Sequence, residues 1–143
     1  MTYPPGPSVG NAGIAYKAGP DLTRSAVQWA LEEWNTALKF NLFWMIDNAW
    51  PNGGWQTYVV QAQCDSYVWV PPRQQWGSGK SVSTLPCSWN WWAYTAFPWG
   101  GADPHRVIIL RPGAVAATGY SARVVVRHEI GHVLGLGDEY GGS

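Results

Sequence analysis

The chain has 143 residues, which fit one domain with a sizeable core and leave little room for a second. Lys and Arg total nine, Asp and Glu total nine, and no basic run appears, so nucleic acid is disfavoured as a partner. No apolar run approaches membrane-spanning length, and the opening MTYPPGPSVG lacks the charged and apolar regions of a signal peptide, so we expect no membrane association.

The first half of the chain predicts one long helix flanked by strands. Residues 12–19 (AGIAYKAG) alternate larger with smaller side chains, as a short strand does. From Leu22 the spacing of the apolar residues changes to four, three and four, which predicts an amphipathic helix along Val27, Leu31, Trp34 and Leu38. Asp21 or Thr23 is available as its N-cap. Apolar runs then predict three strands that share one sheet, at residues 40–46, 57–63 and 66–70.

The second half predicts a long surface excursion, a strand and a final helix. Residues 71–105 hold many turn formers and no sustained period, so we expect a loop with a hairpin at most. Residues 106–112 (RVIILRP) form an apolar run of strand length, and Ser121 is placed to cap a helix that continues to Gly135. The whole pattern predicts an α+β domain over residues 1–143.

Cysteine and tryptophan usage supplies two further expectations. Cys64 and Cys87 form an even pair that can close one loop, and we expect the disulfide if the protein works outside the cell. The chain also holds 11 Trp, far above ordinary usage. About half of these fit a core, whereas the aromatic residues in the loop at 86–100 suit either a lid or a surface that lines a substrate cleft or stacks on sugar rings.

The segment HEIGHVLGLGDEY, residues 128–140, carries the chemistry. His128 and His132 are four residues apart, so on a helix their imidazoles project from one face and can bind a single Zn²⁺. Glu129 follows the first His, where a carboxylate acts as general base toward a water whose pKa zinc lowers to about 7. Gly135 permits a sharp turn after the helix, which brings Asp138 back toward the metal.

The pattern His128, Glu129, His132, Gly135 and Asp138 resembles the extended metzincin zinc signature with Asp in place of the usual third His. It is most similar to the snapalysins, small secreted bacterial neutral proteases. The resemblance implies a zincin-like fold: a twisted mixed sheet, a long N-terminal helix and an active-site helix that bears HExxH. It also implies zinc-dependent endopeptidase activity on a protein or peptide substrate, with His128, His132 and Asp138 as ligands, and an extracellular role. A virion component is a further alternative, and we expect a monomer.

Several alternatives remain open at this point. Tyr140 either hydrogen-bonds a ligand or the tetrahedral oxyanion, as in some related proteases, or simply packs its ring. His105 is a weaker candidate ligand, since an exposed loop His is commoner, and we expect Asp103 and Glu139 to face solvent. Metzincins place a Met-turn after the third ligand, and the methionines here are Met1 and Met45. Either the chain is truncated before that turn, which we favour, or Met45 or another side chain packs under the site, or the protein is a degenerate relative. The alternative function is a non-catalytic module with structural zinc, which binds cell-wall glycan or a protein through the Trp-rich loop.

Overall fold

The structure is a computed structural model, and it describes residues 13–47, 55–72, 79–113 and 119–136. The described residues form a mixed α+β arrangement of a five-stranded sheet, a two-stranded ribbon and two helices. The helices are α1 (Arg24–Leu38) and α2 (Ala122–Val133). The strands are β1 (Gly13–Tyr16), β2 (Trp44–Ile46), β3 (Thr57–Gln61), β4 (Tyr67–Val70), β5 (Lys80–Ser83), β6 (Ala93–Ala96) and β7 (Arg106–Leu110). The α+β prediction is therefore confirmed.

The five-stranded sheet has the order β2-β1-β3-β7-β6. Its first four strands are parallel, and β6 pairs antiparallel to β7 at one end, with Thr95 opposite Ile108. Side chains along β7 alternate between two cores: Ile108 and Leu110 lie on the face covered by the helices, and Val107 and Ile109 lie on the other. Burial on both faces explains why RVIILRP reads as a continuous apolar run rather than an alternating one.

The ribbon formed by β4 and β5 covers the second face of the sheet. Val68 and Val70 point inward to the core that contains Val107 and Ile109, whereas Tyr67 and Trp69 point outward. A disulfide joins Cys64, before β4, to Cys87, after β5, and thus confirms the expected bond. The molecule consequently has three layers: helices, sheet and ribbon.

Two predictions about these strands were wrong. Residues 66–70 do not join the sheet of β3; β4 pairs with β5 instead, because the chain turns at Asp65 (φ 51°) and the ribbon packs across the sheet. The long excursion at 71–105 contains more than a hairpin, since Ala93–Ala96 forms the edge strand of the main sheet. The predicted strand at 40–46 is shorter and covers only Trp44–Ile46.

Helix α1 is fixed at both ends by side chains that the sequence places there. The Thr23 hydroxyl accepts a hydrogen bond from the Ala26 amide at 3.2 Å, so Thr23 rather than Asp21 is the N-cap. Near the other end, Asn35 donates to the Phe43 carbonyl and accepts from the Phe43 amide, at 2.8 and 2.9 Å. This pair of bonds satisfies a buried amide and holds the segment that leads to β2 against the helix.

Candidate metal centre

Helix α2 carries the HEIGH segment and packs against both α1 and β6. Its N-cap is Ser121, as predicted, although the Ser121 side chain makes no capping hydrogen bond. Val126 and Ile130 are fully buried in the core shared with α1. The Trp34 indole donates to the Arg127 carbonyl at 2.7 Å, and Gly131 leaves the space into which the Trp34 ring packs. These contacts with α1 therefore fix the orientation of α2, and with it the direction in which the two histidines project.

His128, Glu129 and His132 come together as one cluster. One possible ligand atom of each, an imidazole nitrogen or a carboxylate oxygen, lies within 4.8 Å of the others. The two imidazole rings are 5.0 Å apart between centroids and nearly perpendicular. The HEIGH spacing on α2 thus gives the converging donors that a single metal ion requires.

His132 is oriented by the end of its own helix. Its Nδ1 lies 2.9 Å from the Leu136 carbonyl oxygen, so the tautomer that carries the proton on Nδ1 donates this bond and leaves Nε2 as a metal donor. A hydrogen bond from the second ring nitrogen to a carbonyl is the usual support of a metal-binding imidazole. The helix thus holds His132 in the form that metal ligation needs.

A Schellman turn ends α2 and supplies that carbonyl. Gly135 has φ of 87°, and its amide donates to His132 O at 2.9 Å, while the Leu136 amide donates to Gly131 O at 3.0 Å. These two bonds define the motif, whose left-handed residue is usually glycine. The prediction that Gly135 adopts the left-handed conformation is confirmed. Asp138 and Tyr140, the other two predicted site residues, lie outside the described residues, as does Glu139.

Glu129 is fully buried between α2 and β6. Its Oε1 accepts a hydrogen bond from the Thr95 hydroxyl on β6 at 2.9 Å. Burial of a carboxylate is unfavourable unless neighbouring groups compensate its charge, and a divalent cation held by the adjacent imidazoles compensates it directly. The two imidazoles and the adjacent carboxylate could therefore hold a metal ion.

Two separate concavities adjoin the cluster. The first has a volume of about 370 Å³ and a mainly apolar and aromatic lining, formed by Trp34, Trp92, Tyr120, Val124, Val125, Arg127 and His128. The second has a volume of about 300 Å³ and is lined by Tyr94, Thr95, Phe97, His132, Gly135 and Leu136. One opens on each histidine, so a ligand at the cluster has space to extend in two directions.

Sequence reasoning missed Thr95 and Tyr120 as residues of this site, whereas Trp92 belongs to the loop at 86–100, for which a cleft lining was one of the alternatives. Trp92 packs 6.1 Å from the His128 ring and 5.9 Å from the Tyr120 ring, between centroids, and its buried indole nitrogen has no hydrogen-bond partner among the described residues. Thr95 lies 34 residues before Glu129. No local pattern in the sequence links these positions, because their proximity depends on the pairing of β6 with β7.

The weaker candidates lie elsewhere. His105 is not part of the cluster; its Nδ1 lies 2.7 Å from Asp103, and its ring packs edge-on against Trp55. Both side chains are largely buried, at 12% and 14% exposure, so the expectations of a solvated Asp103 and an exposed His105 were wrong. In the Trp-rich loop, Trp91 is buried, Trp92 and Trp99 are partly buried, and Trp89 is exposed.

Comparison of the chain with protein-family models, with curated proteins and with solved structures finds no match to any of them. No described helix is long and apolar enough to cross a membrane.

Proposed function

We propose that the protein is a zinc-dependent endopeptidase of the metzincin type, similar to the snapalysins. The observation that carries the proposal is the cluster of His128, Glu129 and His132, with ligand atoms within 4.8 Å of one another on a helix that ends in a glycine turn. His128, His132 and Asp138 would hold the metal. Zn²⁺, when bound, polarises the scissile carbonyl and lowers the pKa of a water at the site to about 7.

Glu129 is the general base of this proposal. Its carboxylate accepts the proton of the attacking water and then donates it to the leaving amine, so that both transfers use one group. Thr95 positions that carboxylate through the 2.9 Å hydrogen bond to Oε1. Thr95 is thus a positioning residue rather than a catalytic one.

Strand β6 is suited to hold an extended peptide beside the cluster. It is the terminal strand of the sheet, so one of its backbone edges faces no other strand in the described part of the chain. An extended peptide can add to such an edge by main-chain hydrogen bonds. The first concavity, with Trp34, Trp92 and Tyr120 in its lining, is suited to an aromatic side chain. The resemblance to the snapalysins also implies a preference for an aromatic residue just after the cleaved bond.

The disulfide supports an extracellular role within the same proposal. Disulfides persist in oxidising compartments and are rare in the reducing cytosol. The bond between Cys64 and Cys87 braces the ribbon, which packs on the second core. We therefore propose that the protein acts after export or on the surface of a virion.

Metal content and peptide cleavage test the proposal together. Protein made from the complete gene and purified without chelator should hold about one zinc, as a single tetrahedral site requires. Asp138→Ala should weaken zinc binding more than His105→Ala does, because His105 already pairs with Asp103 outside the cluster. Absence of bound zinc after zinc is added at neutral pH would refute the metal site. If His105→Ala weakened zinc binding more than Asp138→Ala, the third ligand would be His105 instead of Asp138.

Glu129→Gln separates the enzyme from a non-catalytic zinc module. The amide keeps the size of the side chain and an acceptor for Thr95, but it cannot take up the proton of water. Zinc content should remain unchanged while cleavage of an unfolded protein or an aromatic-containing peptide falls by about 10²–10⁴. A zinc-loaded parent protein that cleaves neither substrate, or a Glu129→Gln variant as active as the parent, would instead favour the binding module.

A further inference from the structure

The outward face of the ribbon carries two exposed aromatic rings. Tyr67 and Trp69 are 71% and 56% exposed, and they alternate along β4 with the buried Val68 and Val70. The outward face of a ribbon that covers a core is ordinarily polar, and single exposed apolar residues are common, but adjacent large rings on one face indicate a binding surface. Residues two apart on a strand are separated by about 6.8 Å, so both rings can contact one extended ligand.

Small hydroxyl side chains lie opposite these rings. Ser83 pairs with Tyr67 and Ser81 pairs with Trp69, so all four side chains occupy the same face of the ribbon. The nearby charged residues are directed elsewhere: the Lys80 ammonium donates to the Pro98 carbonyl, and the Asp65 carboxylate accepts from the Cys87 amide. Among the described residues, these four side chains thus combine aromatic rings with hydroxyl groups and carry no charge.

The rings are presented on a rigid support. The disulfide joins the segments that flank the ribbon, and the Thr84 hydroxyl accepts from the Ser66 amide at 2.9 Å and donates to the Gln63 carbonyl at 2.6 Å. Position 79 must be glycine for the Trp69 indole to rest there, because a Cβ at Gly79 would overlap its six-membered ring. The indole therefore lies against the ribbon with a large part of its surface still exposed, and binding requires little further ordering.

We infer that this face, which we term the ribbon platform (Tyr67, Trp69, Ser81 and Ser83), binds a neutral β-1,4-linked glycan chain. Such a chain is flat, and the axial C–H groups of its sugar rings stack on aromatic faces while its equatorial hydroxyls hydrogen-bond to side chains such as serine. The absence of charge among the four platform residues matches a neutral polysaccharide better than an anionic membrane or a charged peptide. The site is separate from the proposed metal centre, since the ribbon and α2 lie on opposite faces of the sheet.

Binding to microcrystalline chitin and cellulose, and to the soluble hexamer of β-1,4-linked N-acetylglucosamine, tests this inference. The parent protein should bind at least one of the three, and Trp69→Ala and Tyr67→Ala should each weaken binding about three- to tenfold, as expected for loss of one stacking contact. Trp69→Phe keeps a ring and should retain most of the affinity, which controls for a folding defect in the Ala variant.

Tyr120→Ala is the matched control, because Tyr120 is 55% exposed but stacks on Trp92 on the helical side of the sheet. It should bind glycan like the parent, and so should Glu129→Gln, whatever that variant does to peptide cleavage. The inference would be overturned if the parent protein bound none of the three glycans. So would equal losses in Tyr120→Ala and Trp69→Ala, or platform-dependent binding to phosphatidylcholine vesicles or to a protein partner in place of glycan.

Discussion

The hydrogen bond between Thr95 and Glu129 predicts that Thr95→Val destabilises the metal-free protein. Valine has nearly the shape of threonine, so the substitution removes the 2.9 Å bond to the buried carboxylate without opening a cavity. A buried acceptor that is left without its donor costs about 1–3 kcal/mol. Unfolding of a 143-residue chain carries an entropy of about 0.3 kcal/mol per kelvin, so the melting temperature should fall by about 3–10 °C.

The control variant is Thr95→Ser, and the parent and both variants are measured in excess chelator. Serine keeps the hydroxyl and loses only a methyl group, so it should be destabilised less than valine if the hydrogen bond is the cause. Chelator prevents bound metal from adding its own stabilisation to one variant. Urea unfolding followed by circular dichroism gives the free energies. If Thr95→Val is as stable as the parent, or Thr95→Ser is the less stable of the two, the bond does not support Glu129 as described.

Two further predictions concern the turn after α2 and the alkaline limit of the fold. Gly135 and Gly113 have φ of 87° and 81°, so Gly135→Ala and Gly113→Ala should each lower the free energy of unfolding by about 1 kcal/mol in denaturant titrations. Only Gly135→Ala should also weaken zinc binding, measured by competition with a chelator. Equal zinc affinity in the two variants would contradict a role for the turn in the site. Burial raises the pKa of Tyr94 to about 12, so the unfolded chain loses this proton first. The stability that Tyr94 contributes should therefore be fully present below pH of about 10 and be lost between about 10 and 12. In urea titrations, Tyr94→Phe should reduce the loss of unfolding free energy between pH 8 and pH 11. If the loss were as large as in the parent, other titrating groups would be its cause.

Local features of the fold were predictable from the sequence, and nonlocal ones were not. The placement of His128 and His132 on one helical face depends only on their spacing, and the conformation of Gly135 depends on the turn that ends the same helix. The segment KSVS of β5 has little strand character of its own and forms a strand through its pairing with β4. The short β6 was hidden among turn formers for the same reason, so its residue Thr95 could not be assigned to the site.

The pairing register of β6 with β7 fixes contacts in both the proposed metal centre and the ribbon. Thr95 points to Glu129 on the helical face, and its neighbour Tyr94 points the opposite way, where its hydroxyl donates to the Ser83 carbonyl of the ribbon at 3.3 Å. Because successive side chains of a strand alternate, a slip of one residue against β7 would exchange these two positions. Insertion or deletion of one residue within β6 would therefore disturb both layers at once, whereas the same change in a surface loop would be absorbed locally.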